Sequence, residues 1–370
     1  MTGHIPGATV LRGNINAEAS RPGTNHVALR AVNERLVLSL IRTHGSLSKA
    51  QLAELSGLTV QTASVISRSL IDAGLLVAGA PVRGKVGQPY VPLGLNPTGA
   101  SFLGVQINPS KIHTAHVNFV GEAVSETMLD AEQLDIDPIM RHVRERIYQI
   151  REQAEPGQRA RFQAIGVSIA NGLFINGRSS FDLKSIERAF KDLSHSLELP
   201  VTLAGSALAA ASAELIYGLG PTVPDFVYVF LDDGISGGLV RDRRIRFSED
   251  ADGPNIADVL VPNKQGSSVP LKTLAVADTY DARSLQFLAE GIAHAAANCA
   301  ALMPCNTVVV DGSWPAEKLG ILMTKLRNTI AQLGLAPKKN IVAREGSMAR
   351  KPAAMGASAL PLLDRYYPEE

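Results

Sequence analysis

The sequence predicts an α/β protein built in two parts, a small winged helix-turn-helix at the N-terminus and a larger body of two α/β lobes. Three observations carry that expectation. Ser46 to Pro89 has the form of two short helices, a tight turn and a hairpin. From Ser101 onward strand hairpins alternate with helices, twice over, as two lobes with mixed sheets require. The chain has 370 residues, too many for one ordinary domain.

Residues 1–22 hold glycine, proline and small polar residues without periodicity and read as a mobile tail. Residues 23–97 form the winged helix-turn-helix and 98–370 the body. A helical pattern starts at Asn25, where Val27, Leu29, Val32, Leu36, Leu38 and Ile41 alternate irregularly with Arg30, Asn33, Arg35 and Arg42; this first helix is expected to pack under the next two. Ser48 caps the second helix, whose apolar face is Leu52, Ala53 and Leu55. Gly57 makes a turn that glycine makes most cheaply. Thr59 caps the third helix, where Ala63, Ile66, Leu70 and Ala73 recur at helical spacing and face inward. Val60, Gln61, Ser64, Val65 and Arg68 are left outside. Gly74 ends that helix, Leu75 to Ala78 is a strand, and Arg83 to Pro89 is a loop tip. Helix, turn, helix and wing is the shape that places one helix in the DNA major groove.

Asn96-Pro97-Thr98-Gly99 reads as a linker. Beyond it, Phe102 to Ile107 and Ile112 to Phe119 form a hairpin, followed by a further strand. Helices are expected at Pro138 to Ala154, Ile186 to Leu197, Ala207 to Tyr217, Ser284 to Leu302, Glu317 to Leu333 and Met355 to Leu363. Strands are expected at Ala164 to Ile169, Val201 to Leu203, Asp225 to Leu231, Gly238 to Arg241 and Thr307 to Val310.

Composition narrows the function classes. Hydrophobic residues make up 45% of the chain, enough for real cores, and no apolar run reaches the roughly 18 residues of a membrane span. No signal pattern opens the chain. Cys299 and Cys305 are the two cysteines, so a disulfide framework is not expected and a reducing cytoplasm is the default. Both cysteines read as buried small apolar residues. The net charge is +1, but residues 1–97 carry nine Lys/Arg against four Asp/Glu, a balance of +5, which leaves −4 for the rest. A basic head on a mildly acidic body fits a chain whose head alone touches DNA.

The segments LGVQINPSKI, AIGVSIANG, AGSALAAASAE, LDDGISGGLV, VVVDGSW and MGASAL occur in that order behind GLTVQTASVISRSLIDAGLL. In this the chain resembles the ROK family (repressors, open reading frames and sugar kinases), its transcription-factor branch in particular, over about residues 25–365. The resemblance implies a body with the two-lobed actin-like, hexokinase-like (ribonuclease H-like) fold. It also exposes what a kinase of that family needs and this chain lacks. Where such kinases carry an Asn-Asp pair whose carboxylate is the base, this chain has Gly205-Ser206, and a serine hydroxyl with no adjoining activator is no base near neutral pH. Gln106, Asn108, Pro109 and Ser110 replace the aspartate, glycines and threonine of the first phosphate loop. Asp232 to Gly238 keeps the shape of the second loop and reads as a tight hairpin turn. Asn255 and Asp258 stand where the family has its sugar-binding glutamate and histidine, and no cysteine cluster follows to complete a zinc site.

These readings converge on a sequence-specific DNA-binding regulator, a repressor by expectation, with no catalytic residue, cofactor or metal. Gln61 is the candidate for a two-pronged adenine contact, and Val60 and Val65 for thymine methyls. Thr59, Thr62 and Ser64 suit phosphates or base edges, and Lys49 and Arg68 suit phosphates. In the wing, Arg83, Lys85 and Gln88 are candidates for the minor groove. Asn171, Ser206, Asn255 and Asp258 would ring an interlobe pocket for a carbohydrate-like effector, with a relic cleft as the open alternative. The expected partners are double-stranded DNA with an inverted repeat and a second copy of the chain, as a homodimer or tetramer; no membrane is expected. A ligand-independent dimeric regulator is the alternative reading, and an ATP-dependent sugar kinase a remote one.

Overall fold

The protein is described from a computed structural model. It covers residues 9–11, 24–83, 89–130, 135–155, 159–170, 173, 182–232, 234–246, 255–263, 265–275, 281–333, 341–347 and 353–367.

The first element among the described residues is a short strand, β1 (Thr9–Leu11), inside the segment expected to be a tail. The tail reading needs correcting there: β1 pairs antiparallel with a strand of the first lobe, Thr9 opposite Leu203, so its backbone groups have ladder partners. The head follows as α1 (Thr24–His44), α2 (Lys49–Ser56) and α3 (Val60–Asp72), with a wing of β2 (Leu76–Ala78) and β3 (Leu93–Leu95) paired antiparallel. Ser48 and Gln51 close a reciprocal capping box on α2, so two backbone N–H groups that the helix cannot satisfy find partners. Gly57 takes φ 71°, the left-handed turn that the sequence anticipates. Ala63, Ile66 and Leu70 of α3 are buried as expected, against Leu52 and Ala53 of α2 and Val37, Leu38 and Ile41 of α1. Leu55 and Ala73 are not: Leu55 is 47% exposed, and Ala73 is the exposed C-cap of α3. A two-turn helix buries a narrow stripe, and Leu52 and Ala53 already fill it.

The first lobe is built from β4 (Ser101–Asn108), β5 (Lys111–Asn118), β6 (Ala123–Asp130), α4 (Ile136–Gln153), β7 (Phe162–Ile169), α5 (Leu183–Leu197) and β8 (Val201–Gly205). Its six-stranded sheet runs β1-β8-β7-β4-β5-β6, with β4, β7 and β8 parallel and the other pairings antiparallel. Central position explains why β4 reads as a continuous apolar run: it is covered on both faces. After α6 (Ser206–Tyr217) the second lobe follows, with β9 (Phe226–Leu231), β10 (Ile235–Arg241) and β11 (Arg244–Arg246), then the hairpin β12 (Leu260–Pro262) and β13 (Ser268–Pro270). α7 (Ala282–Leu302), β14 (Thr307–Gly312), α8 (Ala316–Gln332) and β15 (Val342–Glu345) complete it. Its sheet runs β11-β10-β9-β14-β15, with β9, β14 and β15 parallel.

The last helix, α9 (Ala353–Tyr366), returns to the first lobe and lies on its sheet. Gly104 and Gly166 stand side by side on β4 and β7, and a Cβ on either would meet the backbone oxygens of Ala354 and Ala357 at 1.8 Å. Only glycine lets the helix backbone come this close. No helix among the described residues is long and apolar enough to cross a membrane.

Candidate nucleic-acid interface

α3 is an amphipathic helix whose inner stripe is used and whose outer stripe is free. Val60 and Val65 are each 60% exposed, and Gln61 and Arg68 are exposed beside them, with Ser64 half-buried between. Valines on a solvent-facing helix gain little from folding, so Val60 and Val65 leave apolar surface on the outer side of α3 beside Gln61. Thr59 caps α3: its Oγ1 accepts from the Thr62 backbone N–H at 3.1 Å and lies 2.8 Å from Thr62 Oγ1. These two hydroxyls therefore shape the start of the helix. Lys49 is half-buried at the first position of α2, next to the cap.

The opposite side of α3 is fixed by polar contacts that periodicity does not reveal. Arg30 of α1 donates to Ser69 Oγ at 2.7 Å, and that hydroxyl donates to Glu34 Oε1 at 3.1 Å. The wing leaves the head through the Val82–Tyr90 bridge, with Arg83 exposed beside it; Lys85 and Gln88 lie outside the described residues.

The head is not a bead on a string. Val37, Ile41 and Leu93 share one apolar core with Phe119, Met355 and Tyr367 of the body. Arg42 reaches across from α1, donates to the Phe119 carbonyl at 2.8 Å and sets its guanidinium 5.0 Å from the Phe119 ring centre. Arg42 as a whole is half-buried, but its guanidinium end is enclosed, and burial lowers its pKa, opposed by Tyr367 and Tyr217. Asn96 donates to the Gly74 carbonyl at 2.8 Å, and Arg161 of the first lobe donates to the carbonyl of Ala73. Arg42 and Arg161 escaped the sequence reading because their partners are 77 and 88 residues away.

Of the residues assigned to an interlobe pocket, Ser206, Asn255 and Asp258 lie among the described residues. Ser206 is buried at the first position of α6, its Oγ 3.2 Å from Ser168 Oγ. Asn255 caps a 3-10 turn, accepting from Ala257 N at 3.0 Å. Asp258 is exposed and takes the Lys272 ammonium at 2.6 Å. Asn171 lies outside the described residues. Gln106 is buried opposite Ser168 in the β4–β7 register. Asp232 sits in the turn of the β9–β10 hairpin, its carboxylate accepting from the Ser313 hydroxyl and its carbonyl from Trp314 Nε1 at 3.2 Å. Among the described residues no three His, Cys, Asp or Glu side chains gather as a metal would need.

Residues 31–77 match a family of winged helix-turn-helix DNA-binding domains. The fold is also that of a solved ROK family transcriptional regulator, a homologue of the E. coli MLC protein, with a TM-score of 0.67 at 18% identity over 91% of this chain and 97% of that one. A ROK family glucokinase from Streptomyces griseus, solved with glucose and AMPPNP, matches with a TM-score of 0.52 at 15% identity over 70% of this chain and 99% of its own. The xylose repressor of Caldicellulosiruptor bescii is 24% identical over 228 residues, 60% of this chain and 56% of the repressor. The chain thus spans little more than half the length of the curated relatives it matches. The fold is a winged helix-turn-helix joined to a ROK-type double lobe.

Proposed function

We propose that this protein is a cytoplasmic, sequence-specific transcriptional regulator of the ROK kind that binds DNA through α3 and acts as a repressor. One observation carries the reading: Val60, Gln61, Ser64, Val65 and Arg68 form an unoccupied outer stripe on a helix whose other sides are pinned by core and hydrogen bonds. In this reading Gln61 reads an adenine, the valines meet thymine methyls, and Arg68 and Lys49 hold phosphates. Thr59, Thr62 and Ser64 support the helix end or reach base edges, and Arg83, Lys85 and Gln88 follow the wing into the minor groove. Two copies related by a two-fold axis read an inverted repeat. The xylose repressor's name supports repression, with a carbohydrate-like effector between the lobes near Asn171, Ser206, Asn255 and Asp258.

A second reading, a regulator without an effector in that cleft, is favoured by the internal partners of Ser206 and Asn255 and the ion pair of Asp258. The kinase reading finds no support at Ser206, since a hydroxyl buried against another hydroxyl is no base. The test is selection of bound fragments from genomic DNA by the full chain and by Gln61→Ala/Arg68→Ala. Enrichment of fragments sharing an inverted repeat, lost with the double variant, is the expected result; equal recovery by both proteins removes α3 from the interface.

A further inference from the structure

A cavity of about 210 Å³ lies where the linker meets the first lobe, lined by none of the residues Ser206, Asn255 and Asp258. Its walls are the linker at Pro97 to Ser101, the C-terminal end of α4, the turn Arg159–Arg161 and one face of β5. Pro97, Ile150 and Phe162 give it an apolar side. Arg151, Arg159 and Arg161 give it a basic side, with His116 beside them and no carboxylate among its described lining residues. Arg151 and Arg159 have no ion pair among the described residues. His116 Nε2 is enclosed without a hydrogen-bond partner, its ring set edge-on to Phe162 at 6.2 Å. Behind it Arg146, 5% exposed, places a further positive charge, its own Nε unpartnered. Burial and Arg146 lower the His116 pKa to about 4, so at neutral pH the ring is an uncharged donor or acceptor.

Arg161 belongs to both the cavity and the seam between head and body. Its guanidinium donates to Ala73 O, the last turn of α3, and to Gly99 O at 3.3 Å. Gly74 sits so close that a Cβ there would collide with that guanidinium. A carboxylate or phosphate oxygen is a stronger acceptor for guanidinium than a carbonyl. An anion in this cavity would therefore draw Arg161 from the two carbonyls that tie α3 and the linker to the body.

We propose that this cavity binds a small organic anion, a carboxylate or phosphate monoester with a compact apolar part, and that binding loosens the head from the first lobe by competing for Arg161. The ligand shifts the head because it binds the loosened state better than the tied one. The site does not depend on whether the interlobe cleft takes an effector.

The test titrates the full chain with phenyl phosphate, benzoate and the uncharged benzyl alcohol, with hydrogen exchange as the second readout. Phenyl phosphate or benzoate should bind one per chain, and benzyl alcohol about tenfold or more weaker, as loss of a charge-assisted bond implies. Arg151→Ala/Arg159→Ala should weaken anion binding about tenfold or more with an unchanged melting temperature. Arg141→Ala/Arg144→Ala, on the exposed side of α4, should leave it unchanged. Amide exchange at Ala73 to Leu75 and Asn96 to Gly99 should rise on binding. No binding of either anion at millimolar concentration, or equal loss with both arginine pairs, overturns the site. Binding with unchanged exchange in those two segments overturns the competition for Arg161.

Discussion

The outer stripe of α3 and the polar residues of the body present opposite situations. On α3 the side chains facing away from the core, Val60, Gln61, Val65 and Arg68, are exposed and spend nothing on the fold. In the body Ser206 faces Ser168, Asn255 caps a turn, and Asp311 is buried against Tyr228. A polar group with an internal partner stabilises the structure that holds it; an exposed one on a rigid helix is available to something else. Substitutions on α3 should therefore be read in DNA affinity and substitutions in the body in stability.

The largest effect expected is on the body side. Asp311 is 3% exposed; burial raises its pKa from 3.8 to about 6, helped by Glu214 and Glu345 and opposed by the hydrogen bonds from Tyr228 and Gly312. Because the folded-state value lies above the unfolded one, the stabilisation is complete at acid pH and is lost as pH rises through 6. The contribution is on the order of 3 kcal/mol across that window. His116, whose pKa burial lowers from 6.5 to about 4, shifts stability the opposite way over the same window, so the slope is read as the difference in denaturant unfolding between the unaltered chain and Asp311→Asn from pH 4 to 7, with DNA affinity unchanged. A variant with the same slope would place the titration elsewhere.

Next comes Gln61→Ala, which should cost about 1–3 kcal/mol of operator binding and relax specificity at one base pair, with the melting temperature unchanged. A shift in melting temperature of several degrees would mean that Gln61 serves the fold, breaking the contrast. Ser206→Ala should cost about 1 kcal/mol of stability or less, since it removes a neutral hydrogen bond at 3.2 Å. Arg83→Ala should reduce the salt dependence of DNA binding by about one phosphate contact. Asp258→Ala breaks an exposed ion pair with Lys272 and should change stability by less than about 1 kcal/mol, a loss that salt screens.

Much of the fold was legible because local chemistry decided it. Ser48, Gly57 and Thr59 mark the helix boundaries of the head through caps and a left-handed turn, which act within four residues. The six expected body helices and the main strands fall where periodicity put them, with ends moved by one to three residues. Short edge strands were not legible: β1, β11 and β15 are three or four residues long, and β1 and β15 owe their pairing to neighbours far along the chain. The outer stripe of α3 was read correctly because one helix fixes which side each residue takes. Which body residues would be buried was not, since Ser206 meets Ser168 only when α6 and β7 come together. The seam was invisible for the same reason, as Arg42 and Arg161 look like ordinary surface cations until Phe119 and Ala73 are beside them.

The measurement closest to the centre of this account is a hydroxyl-radical footprint of the full chain on a genomic fragment that it selects. Two protected patches on one face of the duplex, symmetric about a centre and lost with Gln61→Ala/Arg68→Ala, are the predicted result. Protection that survives the double variant, or a single patch without symmetry, would contradict it.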